Sequence, residues 1–137
     1  MNELPLPPEA IGNYVTFKKA GNLIFTSGHV PINGEQNFIG KVPKDISVDN
    51  AYKAASLCAE LTISTLKSNC DINKIQPLNV VGFVNAEDTF QEHAKVLNGF
   101  TDTLTQFFSE KATRSAVGVK SLPLNVCVEV QCIFSYE

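Results

Sequence analysis

Apolar residues recur along this chain with two different periods, and the changes of period divide it into seven elements. Val126 to Tyr136 alternates strictly. Val126, Val128, Val130, Cys132 and Phe134 share one side, and Cys127, Glu129, Gln131, Ile133 and Ser135 the other, the pattern of a half-buried strand. Leu78 to Asn85 is apolar throughout, as expected of a central strand. Tyr14 to Ala20 and Asn22 to His29 read as two strands hinged at Gly21, and Pro31 to Val42 as a Gly/Asn-rich loop. A period of 3.6 takes over from Val48 to Lys67, with Asp45 or Ser47 as cap and Ala51, Ala54, Cys58 and Leu61 as the stripe. Asp88 is the candidate cap of a second helix, whose stripe is Phe90, Ala94, Leu97, Thr101, Leu104 and Phe108. The predicted order is strand, strand, helix, strand, helix, strand, strand.

One short strand carries candidate chemistry. In Ala112 to Val119, Val117 and Val119 are expected to face the core, leaving Arg114, Ala116 and Gly118 on the other side. Two of those three are nearly without side chain, so the guanidinium has open space beside it. Its planar fork suits a small carboxylate held by two parallel hydrogen bonds. If both closing strands press their valines onto one core, Glu129 and Gln131 emerge beside Arg114. The alternative is a cross-strand ion pair, worth roughly 0.2–1 kcal/mol when exposed.

With these residues in view, the chain resembles the YjgF/RidA family, also known as endoribonuclease L-PSP or reactive imine deaminases. The likeness rests on AIGNY (Ala10 to Tyr14), GNLIFTSGHVPI (Gly21 to Ile32), VVGFVNAEDTF (Val80 to Phe90), TRSAVGV (Thr113 to Val119) and VEV (Val128 to Val130). Together they run almost end to end, and they look most like a longer branch of the family. The resemblance implies one domain over residues 1–137 with a chorismate-mutase-like α+β fold: a mixed sheet with two helices packed on one face, assembled as a homotrimer with pockets at subunit boundaries. It also implies cofactor- and metal-free hydrolysis of 2-enamino or 2-imino acids to 2-keto acids and ammonia. Arg114 would hold the carboxylate and Glu129 would position or activate water. Tyr14 and the backbone at Gly28 and Ala116 would contact the ligand, with His29 and Asn98 as further pocket candidates.

The departures from the family pattern concern pocket shape. His29 stands where the archetype has Gln, either as a titratable ring near the pocket or as a hydrogen-bonding replacement. Ala116 replaces a cysteine, Gln131 a second acid, and Thr113 the usual Pro or His. The segment from Phe108 to Arg114 is short, which shifts the helix carrying Asn98.

Composition narrows the alternatives. Length 137, 44% hydrophobic and 18% charged residues fit one domain with a real core. The net charge of −3, without a Lys/Arg cluster, argues against nucleic acid as a partner and against the ribonuclease reading. A non-catalytic trimer that binds a small carboxylate or a partner protein stays open. No run is long enough for a membrane span, and MNELPLPPEA lacks the features of a signal peptide, so the expected location is cytoplasmic. Cys58, Cys70, Cys127 and Cys132 form no CxxC and read as structural thiols; no metal site is expected. The mixed second sheet face, with nothing left to cover it, points to burial in an oligomer.

Overall fold

The computed structural model of the chain describes residues 3–34 and 36–137. Its main sheet has five strands in the order β1-β2-β7-β5-β6. These are β1 (Phe17–Ala20), β2 (Leu23–Thr26), β5 (Ile75–Asn85), β6 (Thr113–Val119) and β7 (Val128–Tyr136), while β3 (Ile32–Asn33) and β4 (Gln36–Asn37) make a separate hairpin. Only β5 and β6 run parallel, and every other pair in the main sheet is antiparallel. The parallel pair needs a crossover, supplied by α2 (His93–Leu104); α1 (Val48–Asn69) connects the hairpin to β5.

Ser47 caps α1, its side chain accepting from the Asn50 N–H. The predicted stripe Ala51, Ala54, Cys58 and Leu61 is buried, but so are residues around it, because α1 packs against the sheet on one side and against α2 on another. The second helix departs from expectation. It begins at His93 after Glu92, not at an Asp88 cap, and its buried residues are Val96, Leu97, Gly99, Phe100, Thr103 and Leu104. Phe90 and Phe108 are buried from the flanking loops, whereas Ala94 is exposed. The region predicted as a plain loop contains the β3–β4 hairpin.

Both helices pack on one sheet face, where Ile24, Val80, Val84, Val128, Val130 and Phe134 are fully buried. The register fixes the other face: Leu23 pairs with Ser135, Phe25 with Ile133, Val81 with Ser115 and Gln131, and Phe83 with Val117 and Glu129. Leu23, Phe25 and Val117 are 38%, 40% and 43% exposed there. The strand residues of this face carry just two charges, Lys18 and Glu129.

Cys58, Cys127 and Cys132 are buried free thiols, and Cys70 closes α1. Burial pushes the Cys127 thiol up to about 12, the behaviour of an inert structural cysteine.

Candidate functional site

The parallel register decides where Arg114 points. Arg114 pairs with Val80 and Val80 with Cys132, whereas Glu129 pairs with Phe83 and Phe83 with Val117. Paired residues share a face, so Arg114 lies on the helix side and Glu129 on the open side. The expected face uniting Arg114 with Glu129 and Gln131 does not exist within one chain. Val117 and Val119, expected in the core, lie on the open side instead. The physical reason is the βαβ crossover: α2 covers β6 from the side that Arg114, Ala116 and Gly118 occupy.

Their small size serves that packing. Ala116 sits against the core cluster, and a Cβ on Gly118 would lie 2.6 Å from Nε2 of His93. Arg114 lies along one ridge of α2. Its Nη1 donates to Thr101 Oγ1 at 3.0 Å, and Nη2 reaches the Ala94 carbonyl at 3.5 Å. The guanidinium borders a cleft of about 510 Å³ lined also by Asn98, Thr101, Asp102 and Lys111. Asn98 is therefore on the Arg114 side. Thr101 as its anchor was missed from sequence; the signal was there, since residues 94, 98 and 101 fall on one helix face.

Glu129 belongs to a second cluster. Its carboxylate lies directly on Gly28, where any side chain would collide with it. Half-burial pushes its pKa up from the ordinary carboxylate value. The side-chain ion pair among the described residues is Lys95 with Glu92, so no cation neutralises Glu129. Gly28 also walls a cavity of about 380 Å³ together with Ile11, Tyr14, Ile32 and Leu124. Tyr14 precedes β1 rather than lying within it; its hydroxyl accepts from the Ile11 N–H at 3.3 Å.

The His29 backbone touches the same cavity, but its ring is buried and turned to α1. Nδ1 lies 3.0 Å from the Ser27 carbonyl and Nε2 3.0 Å from Thr65 Oγ1. A carbonyl only accepts, so Nδ1 carries the proton; Nε2 of the neutral ring then takes the Thr65 hydroxyl proton in competition with the Leu61 carbonyl at 3.1 Å. Desolvation holds its pKa below the usual value. Among the described residues no group of three or more His, Cys, Asp or Glu is placed to hold a metal ion.

One chain thus presents two separate clusters: a guanidinium with Asn98 and Thr101, and a carboxylate with Gly28 and, across the cavity wall, Tyr14. A family model described as "YjgF/chorismate_mutase-like, putative endoribonuclease" matches residues 1–135. The chain belongs to the YjgF/RidA family. Within that family, the 2-iminobutanoate/2-iminopropanoate deaminase of Escherichia coli is 32% identical over 132 residues, covering 92% of this chain and 89% of the relative. The crystal structure of protein Atu1372, of unknown function, from Agrobacterium tumefaciens is 35% identical, with TM-score 0.88 and coverage of 96% and 86%. That of a "putative endoribonuclease" from Shewanella oneidensis is 30% identical, with TM-score 0.91 and coverage of 98% and 92%. The YjgF/RidA fold of these structures is the α+β arrangement described above. Among the described residues no helix is long and apolar enough to cross a membrane.

Proposed function

We propose that the protein hydrolyses reactive 2-imino or 2-enamino acids to 2-keto acids and ammonia in a pocket formed between copies of the chain. The observation that carries this reading is Glu129, a half-buried carboxylate set on bare backbone with no cation paired to it among the described residues of its own chain. Half-burial raises its pKa above the ordinary carboxylate value, which favours a group that both takes and returns a proton. The E. coli relative named as an imine deaminase gives the reading its chemistry.

Because Arg114 and Glu129 sit on opposite sheet faces, a complete site joins the Arg114 half of one copy to the Glu129 half of another. The apolar open face supports such an assembly: an antiparallel face this poor in charge is better buried than solvated. The expected form is a homotrimer.

The substrate carboxylate lies in the Arg114 fork, and Thr101 keeps the guanidinium in place. Water adds to the carbon of the N-protonated imine as Glu129 takes one of its protons, giving a neutral carbinolamine. Glu129 returns that proton to the nitrogen, then takes the carbinol hydroxyl proton as the C=O forms and the C–N bond breaks. The departing ammonia carries that proton away as ammonium. No electrons are transferred. The imine carbon is already electrophilic, so orientation and one proton-transfer group are enough.

Calorimetry with 2-ketobutyrate, run beside imine-hydrolysis kinetics, tests the assignment. Arg114→Ala should lose binding and turnover, since hydrogen bonds to charged groups are worth roughly 1.5–3 kcal/mol each. Arg114→Lys should rescue poorly because a point charge does not reproduce the fork. Glu129→Gln should bind but not hydrolyse. Full activity in Arg114→Ala would refute the proposal and favour a partner-binding role.

A further inference from the structure

The cavity beside Gly28 contains a feature that the proton-transfer chemistry does not use. Leu124 stands on its rim with φ 58° and ψ 15°, a left-handed conformation that residues with a large side chain rarely adopt. The following Asn125 also has positive φ. The conformation is held from several sides. Asn125 N–H donates to the Leu122 carbonyl at 3.0 Å, and the Asn125 carbonyl accepts from Gly40 N–H at 2.8 Å. Asn85 Nδ2 donates to Asn125 Oδ1 at 3.2 Å and to the Val126 carbonyl at 3.1 Å. A turn locked this firmly into a costly conformation leaves Leu124 60% exposed instead of placing it in the core.

Around it, Ile11, Tyr14 and Ile32 supply the rest of an apolar wall. The cavity holds about 380 Å³, far more than the methyl or ethyl group of the smallest imino acids needs. Its charged lining residue is Glu9, and no Lys or Arg contributes, so an acidic group finds no partner there. Gly28, which lines the cavity, also lies against the Glu129 carboxylate, so the two are separated by one glycine's backbone.

We propose that Leu124, with Ile11, Ile32 and Tyr14, forms a side-chain subsite that selects 2-imino acids bearing a bulky apolar group. The inference rests on the hydrolytic reading above and specifies its substrate. With the reacting carbon near Glu129, the side chain of the substrate extends past Gly28 into this cavity. Each methylene buried there favours the larger substrate by about fourfold, which is about 0.8 kcal/mol. A leucine-derived imine should therefore exceed an alanine-derived one by an order of magnitude or more in kcat/KM.

The test uses imines generated in situ from leucine, alanine and glutamate by an amino-acid oxidase, with the full-length protein and Leu124→Gly. Glycine suits the left-handed position, so this variant removes the wall without straining the turn. The expected result is a leucine-to-alanine preference of at least tenfold in the natural chain, with the glutamate-derived imine disfavoured. Leu124→Gly should reduce that preference at least fivefold. Equal rates for the three imines, a preference for the glutamate-derived one, or a preference unchanged in Leu124→Gly would overturn the subsite. Sedimentation of the variant is run in parallel; a dissociated assembly with loss of all turnover would assign Leu124 to subunit contact and also overturn the subsite. Failure of the natural chain to hydrolyse any of the imines would instead refute the hydrolytic reading itself.

Discussion

Gly28→Ala separates the position of the Glu129 carboxylate from its presence. An added Cβ would overlap the nearer carboxylate oxygen and lie 2.8 Å from Cδ and 3.0 Å from Cγ of Glu129. Restoring an ordinary carbon–carbon separation of about 3.5 Å moves Cδ by about 0.7 Å, and the oxygen further. A displacement near 1 Å costs roughly 10²-fold in rate when geometry is critical, and a general base contributes about 10²–10⁴-fold. We expect kcat to fall about 10²-fold, with the Glu129→Gln value as the floor. Stability should change little. The obstacle is the end of a flexible, half-exposed side chain, so the cost should stay at or below the lower end of the roughly 1–3 kcal/mol typical of overpacking. That corresponds to a Tm loss of about 4 °C or less for a chain of this size. Steady-state kinetics and thermal unfolding on Gly28→Ala, Glu129→Gln and the double variant decide the matter. The double variant should be no slower than Glu129→Gln alone, because both changes remove one function. Unchanged kcat in Gly28→Ala, or fully additive losses in the double variant, would show that the carboxylate is not held there for catalysis.

Thr101→Val removes the acceptor for Arg114 Nη1 at nearly constant volume, so KM for an imino acid should rise several-fold with kcat largely kept; an unchanged KM would deny Thr101 a positioning role. Burial depresses the His29 pKa, so the unfolded chain binds the proton more readily. Stability is full above the unfolded value of 6.5 and falls as pH drops through 6.5 toward the lower folded value. His29→Gln should flatten that slope in urea melts between pH 7.5 and 5. The Glu129 pKa is raised by burial, so the acid limb of kcat/KM should lie above 4.5 and disappear in Glu129→Gln. Val117→Asp places a charge on the open face beside Phe83 and should shift sedimentation from the proposed trimer to monomer with loss of turnover; an unchanged assembly would mean that another surface joins the copies.

Much of the fold can be read from local chemistry. Ser47 has a side-chain oxygen just before a long apolar stripe, and it caps α1. The alternation from Val126 onward specifies a two-faced strand, and the buried set Val128, Val130, Cys132 and Phe134 is the one that the alternation marks. The largely apolar run from Leu78 to Asn85 becomes part of β5 at the sheet's interior, between β7 and β6. The residue types of the candidate site, Arg114, Glu129, Gly28 and Tyr14, are likewise present in the motifs. Alternation states that a strand has two faces, but not which face a neighbour will cover. For β6 the valines at 117 and 119 pointed one way, and the crossover helix took the other side, because Arg114, Ala116 and Gly118 leave room for α2 and the ring of His93. The phase of α2 was misread for a related reason. Phe90 and Phe108 are buried through loops that return to the core, so their spacing extended an apparent helix beyond His93 and Leu104. The clamp of the Leu124–Asn125 turn by Gly40 and Asn85 joins residues about 85 and 40 positions apart in sequence, and no local pattern encodes it. Sequence alone determined the elements and the chemical groups, through short-range periodicity and side-chain type. Register and long-range packing decided which groups share a face, and so divided Arg114 from Glu129 within a single chain.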